Sequence, residues 1–388
     1  MSESISSLVG GQVSTEAPGG TLTITNPART SEVVAEVALG DESTFTAACR
    51  AAKEAQAGWA AIPPPARGRV ISQVGRLVED NKEALARLVT REIGKPYPEA
   101  LGEVQEIIDT CDFFLGEGRR LYGQTVPSEM PDKQLFTFRM PVGTAAIITA
   151  GNFPVAVPSW YLVPALLCGN SVVWKPAEYA AATASALTRL FLAGGVPKDV
   201  LNLVLTDGPS TFTGLEQALE AGLVDKVGFT GSSEVGRRIG ELCGRHLQSP
   251  CLELGGKYPL VVMPDANLDL AVEGALFSGF GTAGQRCTSL GVAIVHESIH
   301  DEFLGRFAAA TEAAAVGDPM ADGVLYGPMM NQRFADRFES WLDLVEGNHT
   351  LHGSAGRTSP WNIHPRASRH YRLQRTFQRP ARRRLHCH

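Results

Sequence analysis

Two short segments hold the side chains best suited to covalent chemistry: Leu252-Glu253-Leu254-Gly255-Gly256-Lys257 and Gly281-Thr282-Ala283-Gly284-Gln285-Arg286-Cys287. The first offers a carboxylate in an apolar, glycine-flanked setting. The second offers a thiol beside a cation in a glycine-rich loop. A covalent acyl mechanism needs those two groups, a nucleophile and a base for the water that later releases the product. The thiolate is the attacking form of a cysteine, and nearby positive charge, a helix-end dipole or a bound cofactor favours it. The setting of Glu253 predicts poor solvation, the condition under which a carboxyl keeps its proton longer. Plainer roles exist for both. Cys287 could be a small core residue, and Glu253 could sit in a buried ion pair with Lys257 or Arg286.

Three further places could serve such a reaction. Asn152, in Ala150-Gly151-Asn152-Phe153-Pro154, follows a buried strand, and its amide with the Cys287 N–H could form an oxyanion hole; simple turn chemistry before Phe-Pro is the alternative. Lys175 and Glu178, in Trp-Lys-Pro-Ala-Glu, lie just after another strand, where a lysine can hold ribose hydroxyls or phosphate and a carboxylate can pair with a ribose. Both could equally be surface charges. Phe229-Thr230-Gly231-Ser232-Ser233-Glu234-Val235-Gly236 runs from a strand into a helix, whose free N–H groups and Ser232 could receive a diphosphate. Its glycine pattern is not the usual dinucleotide fingerprint.

These residues must be placed by the elements around them. Residues 22–38 alternate like two strands about an Asn-Pro-Ala turn. Asp41 can cap a helix running to about Ala60, and helices are expected at 66–93 and 98–117. Gly123 to Arg139 reads as an extended arm or hairpin. From Val142 strands and helices alternate: strands at 144–149, 171–174, 200–205 and 226–230, and helices at 156–168, 180–193, 211–221 and 233–245. That order predicts a parallel sheet covered on both faces. A new unit is expected near Glu253, with a strand at 259–263 and helices at 268–279 and 299–315.

The 388 residues suffice for two or three domains, and 44% hydrophobic with 20% charged residues is ordinary for a soluble globular chain. The net charge of −6 conceals an asymmetry, because residues 357–388 hold nine Arg and no Lys, Asp or Glu. The main body is thus acidic, which argues against nucleic acid as a partner. Seven scattered cysteines and a polar start without an export signal predict reduced thiols in a cytoplasm. Met140 to Trp174 has no Asp, Glu, Lys or Arg, but it is broken by Gly151, Asn152, Pro154, Pro158, Pro164, Gly169 and Asn170, so buried strands and a short helix are expected rather than a membrane span. From Arg357 the composition changes abruptly. It predicts an aberrant, disordered basic tail, with a tail that binds an acidic partner as the alternative.

The ordered series Gly94-Lys95-Pro96, Pro141-Val142-Gly143, Asn152-Phe153-Pro154, Lys175-Pro176-Ala177-Glu178, Phe229-Thr230-Gly231-Ser232, Glu253-Leu254-Gly255-Gly256-Lys257 and Gly284-Gln285-Arg286-Cys287 resembles the NAD(P)-dependent aldehyde dehydrogenase superfamily from about Asn26 to Gly353. Gly281–Thr288, His296–Glu302 and Leu325-Tyr326-Gly327-Pro328 look most like its α-aminoadipic semialdehyde branch. The resemblance implies an α/β, aldehyde dehydrogenase-like fold. It would comprise the N-terminal part of the cofactor-binding domain (1–122), an oligomerisation arm (123–140), the parallel-sheet nucleotide-binding domain (141–252), a truncated α/β catalytic domain (253–356) and the tail (357–388). It also implies Cys287, Glu253 and Asn152 as catalytic residues and no metal. Cofactor contacts would come from Ile148, Thr149, Lys175, Glu178, Gly231, Ser232, Val235, Leu254 and Gly255. Glu178 near a ribose 2′-oxygen would repel an added phosphate, so NAD is expected over NADP. The partners implied are a small-molecule aldehyde and other copies of the chain in a homo-oligomer.

The chain departs from the pattern in two respects. The family's Glu-(Ile/Val)-Phe-Gly-Pro motif and its C-terminal oligomerisation strand are not found, and Gly151 stands where the family often has an aromatic residue. The expected activity is NAD-dependent oxidation of an aldehyde, in particular a semialdehyde, through a cysteine thiohemiacetal and thioester, with impairment by the missing part. A catalytically inactive nucleotide-binding or subunit-association remnant is the alternative. A cysteine hydrolase is disfavoured because no His lies in the key motifs.

Overall fold

The computed structural model describes residues 3–342 and, beyond them, four short backbone strands. The chain divides into two compact units. The first takes the described chain to Ile93, Tyr97–Gly231 and Val235–Glu253; the second takes Gly94–Pro96, Ser232–Glu234 and the described chain from Leu254.

The first unit opens with β1 (Glu3–Ile5), β2 (Ser7–Val9), β3 (Gln12–Ser14), β4 (Gly20–Asn26) and β5 (Arg29–Leu39). β4 and β5 form the expected hairpin, and Asn26 Oδ1 accepts from Ala28 N at 2.9 Å to make its turn. Asp41 caps α1 (Glu42–Ala60), accepting from Ser43 N at 3.0 Å and Thr44 N at 3.1 Å. Next come α2 (Pro64–Asp80), α3 (Lys82–Ile93) and α4 (Tyr97–Glu117). The helix expected over 66–93 is therefore two. Asn81 breaks it at φ −110° and ψ 12°, with its side-chain amide donating to Leu77 O at 2.8 Å. A short amide competing with the backbone ladder is the physical reason. The arm region holds a two-stranded hairpin, β6 (Thr125–Val126) with β7 (Leu135–Phe136), beside exposed Phe138 and Met140.

The alternation expected from Val142 is present as β8 (Thr144–Ile148), α5 (Ala156–Leu167), β9 (Ser171–Lys175), α6 (Ala181–Ala193), β10 (Leu201–Leu203), α7 (Gly208–Glu220), β11 (Lys226–Gly231), α8 (Ser233–Arg245) and β12 (Cys251–Leu254). The seven-stranded sheet has the order β12-β11-β8-β9-β10-β2-β3. β11, β8, β9 and β10 run parallel, and the hairpin β2–β3 extends the sheet antiparallel to β10. Every residue of β8 and β9 is buried, as a parallel sheet covered on both faces requires. Burying Val172 and Val173 stabilises the fold by about 1.5–3 kcal/mol each. The start of β8 is held by Asp225, which accepts from Thr144 N at 2.8 Å and pairs with Lys53 at 2.7 Å. The membership of β2, β3 and β12 in this sheet was not expected from the sequence.

α5 carries no charged residue, and neighbours complete both of its ends. At its C-terminus Trp59 Nε1 donates to Leu166 O and Arg67 Nε to Leu167 O, both at 2.8 Å. These satisfy carbonyls that a helix end leaves open.

In the second unit β13 (Tyr258–Val262) pairs in parallel with β14 (Leu290–Val295), and α9 (Leu268–Phe280) and α10 (His300–Ala313) cover one face. Leu260, Val262, Leu290 and Val295 pack there with Val272, Ala275 and Phe303. On the other face Val261, Met263, Val292 and Ile294 are exposed. α11 (Gln332–Leu342) follows. Neither β14 nor α11 was expected from the sequence. Further on, β15 (Thr350–His352) pairs with β18 (Ser368–His370), and β16 (Ala355–Ser359) with β17 (Asn362–Pro365). The tail expected from Arg357 thus falls partly on these strands, and from residue 371 it lies outside the described residues.

Candidate active site

In the first unit the expected residues gather at the carboxyl ends of parallel strands, where open α/β sheets bind ligands. β8 leads into Thr149, whose N–H donates to Lys175 O at 3.0 Å and whose hydroxyl accepts from Trp174 Nε1 at 3.0 Å. Ile148 and Thr149 are buried. The chain then bends through Gly151 and half-buried Asn152 before α5. A Cβ on Gly151 would lie 2.4 Å from Tyr179 Cε2 and 3.1 Å from Ala177 Cβ. The ring of Tyr179 therefore occupies the space beside residue 151, and a side chain there would have to push it aside.

β9 ends at Lys175, which is 5% exposed, and its ammonium donates to Glu178 Oε2 at 3.3 Å. Asp207, just after β10, caps α7 by accepting from Ser210 N at 2.8 Å. Hydrogen bonds from Ser210 hold the Asp207 carboxyl below the usual carboxylate range, and the charge of Lys175 adds to them. β11 ends at Gly231, where a Cβ would meet Phe229 Cζ at 2.5 Å. Val235 on α8 is exposed; Ser232, which belongs to the second unit, is exposed as well. A lysine–carboxylate pair, a side-chain-free glycine and a helix N-terminus after neighbouring strands suit a nucleotide's ribose and phosphates.

Glu253 lies on the edge strand β12 and is exposed, as is Cys251 two positions earlier, while Leu252 and Leu254 are half-buried. The poor solvation expected for Glu253 is corrected: strand alternation turns it outward at a sheet edge. Gly255 is also exposed. Tyr161 on α5 was missed in the sequence. Its hydroxyl lies 2.9 Å from Thr230 Oγ1, and burial pushes its phenol up, with the charges of Cys251 and Glu253 adding to that effect.

Cys287 belongs to the second unit and is half-buried. The loop before it turns left-handed over three residues: Thr282 (φ 51°), Ala283 (φ 54°) and Gly284 (φ 72°). The first two are not glycines, so the loop holds backbone strain of about 1–3 kcal/mol per residue. Gln285 locks the turn, donating to Thr282 O at 3.1 Å and accepting from Met330 N at 3.1 Å. Tyr326 stacks on Phe280 with centroids 6.0 Å apart and shares a buried cluster with Met329, and Met330 is buried too. The Arg286 guanidinium lies 4.4 Å over the Phe277 ring. The cation expected beside the thiol is therefore engaged by an aromatic face.

The model of the aldehyde dehydrogenase family matches residues 14–365. The chain belongs to that family. It is 38% identical to an alpha-ketoglutarate semialdehyde dehydrogenase of Haloferax volcanii, over 89% of this chain and 71% of that protein. It is 35% identical to the alpha-aminoadipic semialdehyde dehydrogenase of Bos taurus, over 86% of this chain and 62% of that protein. The crystal structure of an E. coli NADP dependent enzyme superposes with a TM-score of 0.87 at 33% identity, covering 93% of this chain and 75% of that one. The chain thus spans between three-fifths and three-quarters of these relatives. The family uses NAD or NADP. Among the described residues no helix is long and apolar enough to cross a membrane, and no group of three or more His, Cys, Asp or Glu could hold a metal ion.

Proposed function

We propose that the chain oxidises an aldehyde, in particular a semialdehyde, to the carboxylic acid. The observation that carries this reading is the family match across residues 14–365, together with a thiol at Cys287, a carboxylate at Glu253 and an amide at Asn152 in the motifs that resemble the family's. Cys287 Sγ, presented by the locked loop of Gln285, attacks the carbonyl carbon. The Asn152 amide and the Cys287 N–H stabilise the resulting oxyanion. NAD(P), when bound, supplies the hydride acceptor. Glu253, open to solvent on β12, takes a proton from the water that releases the acyl group from sulfur.

Lys175, Glu178, Gly231, Ser232 and Val235 hold the cofactor in this reading, with Ile148, Thr149, Leu254 and Gly255 along its path. The Glu178 carboxylate, already beside Lys175, disfavours a 2′-phosphate, so NAD is the preferred form. The exposed aromatic arm around Phe136 and Phe138 serves association with other copies. Initial rates of NADH and NADPH formation with a panel of semialdehydes test the reading. Turnover that is faster with NAD is expected. Cofactor binding without turnover would instead support an inactive nucleotide-binding remnant. Ester hydrolysis indifferent to NAD would overturn both.

A further inference from the structure

Neither α5 nor α6 has a capping side chain of its own; the residues before them are Val155 and Ala180. Each is capped instead from the consecutive helices α3 and α4. Glu103 on α4, 1% exposed, accepts from Val155 N at 2.7 Å and Ala156 N at 3.1 Å. Glu92 on α3, 2% exposed, accepts from Ala182 N at 2.6 Å and Thr183 N at 2.8 Å. A buried carboxylate at a helix N-terminus satisfies open N–H groups and meets the positive end of the helix dipole.

The placement of the two clamps is what matters. Asn152 stands three residues before Val155, across Phe153 and Pro154, and Glu178 stands three residues before the start of α6. We infer that Glu103 is a positioning residue for the Asn152 amide, and that Glu92 does the same for the ribose-binding segment at Glu178. The inference rests on the dehydrogenase reading above. Proline fixes φ between Asn152 and the clamp, so displacement of the Val155 N–H is transmitted to Asn152 with little slack. Rates are sensitive to such displacement, and a shift of about 1 Å can cost about a hundredfold.

The test uses the full chain and the variants Glu103→Gln, Glu92→Gln, Asn152→Ala and the double variant E103Q/N152A, with kcat, KM for aldehyde and cofactor, and Tm measured for each. E103Q is expected to lower kcat by about tenfold or more while the cofactor KM moves less than about twofold. E92Q is expected to raise the cofactor KM and spare kcat at saturation. In the Asn152→Ala background E103Q should cost less than about twofold, because the group it positions is gone. An equal cost in both backgrounds, or a fall in Tm without the split between kcat and KM, overturns the inference and leaves the dehydrogenase reading standing. If E103Q does not fold, Glu103→Asp keeps the charge but shortens its reach. Wild-type kcat in that variant also overturns the inference. Asn152→Ala with wild-type kcat, or a wild-type chain that does not turn over, removes the functional reading and this inference with it.

Discussion

Gly151→Ala is the most informative small change in the first unit. The added methyl carbon would start 2.4 Å from Tyr179 Cε2 and 3.1 Å from Ala177 Cβ. Carbon atoms rest about 3.5–4.0 Å apart, so the tyrosine ring must retreat by roughly 1 Å. Overpacking of this kind costs about 1–3 kcal/mol. In a unit of this size 2 kcal/mol corresponds to about 4–8 °C in Tm. The strain is not silent, because Tyr179 follows Glu178 and Gly151 precedes Asn152. Both kcat and the cofactor KM should therefore worsen. Calorimetry and steady-state kinetics on G151A, on Tyr179→Ala and on the double variant decide the matter. The double variant should recover about 1 kcal/mol or more relative to the sum of the singles. A G151A protein with unchanged Tm, or strict additivity, would refute the claim that the ring occupies this space.

Cys287→Ala should abolish turnover while leaving Tm within about 1 °C and cofactor binding intact, because a half-buried loop thiol contributes little packing; residual NADH formation above about a thousandth of wild type would contradict it. Native alkylation followed by peptide mass spectrometry should label exposed Cys251 and half-buried Cys287 and leave Cys49 and Cys111 untouched, since burial pushes both of those thiols up to about 12. The same two thiols set an alkaline limit. Their folded pKa values lie above the ordinary thiol value of 9.0, so the unfolded chain loses these protons first and stability falls as pH rises from about 9 towards 12. Denaturant midpoints flat across that window in wild type would count against the burial. Glu178→Gln should raise the ratio of NADP to NAD efficiency by about tenfold, as removal of a like charge predicts. An unchanged ratio would separate Glu178 from the ribose.

Local signals served best where one residue type has one structural use. Asp41 before α1, the Asn26 turn and the uninterrupted apolar runs of β8 and β9 were legible because capping, turn chemistry and double-sided burial leave plain patterns. The break at Asn81 was not, since no Pro or Gly marks it and the side chain decides it. β14 reads as a strand only once its parallel partner β13 is known, 32 residues upstream at its start. In the site, residue types and motif order pointed to Cys287, Glu253 and Asn152, but their surroundings were hidden. The exposure of Glu253 follows from β12 being an edge. The partner of Arg286 is a ring nine positions earlier on α9. Left-handed Thr282 and Ala283 carry no glycine signature at all.

The uncharged helix α5 has a consequence for how this unit assembles. Read alone, Ala156–Leu167 is apolar enough to pass for lipid-facing sequence, because its polarity is supplied from elsewhere: an anion at its head from α4, and a guanidinium and an indole at its foot from α2 and α1. A fragment beginning at residue 141 would expose both poles of that helix and should precipitate. Productive folding therefore has the amino-terminal helices in place before the nucleotide-binding sheet closes, an order that suits a chain emerging from the ribosome.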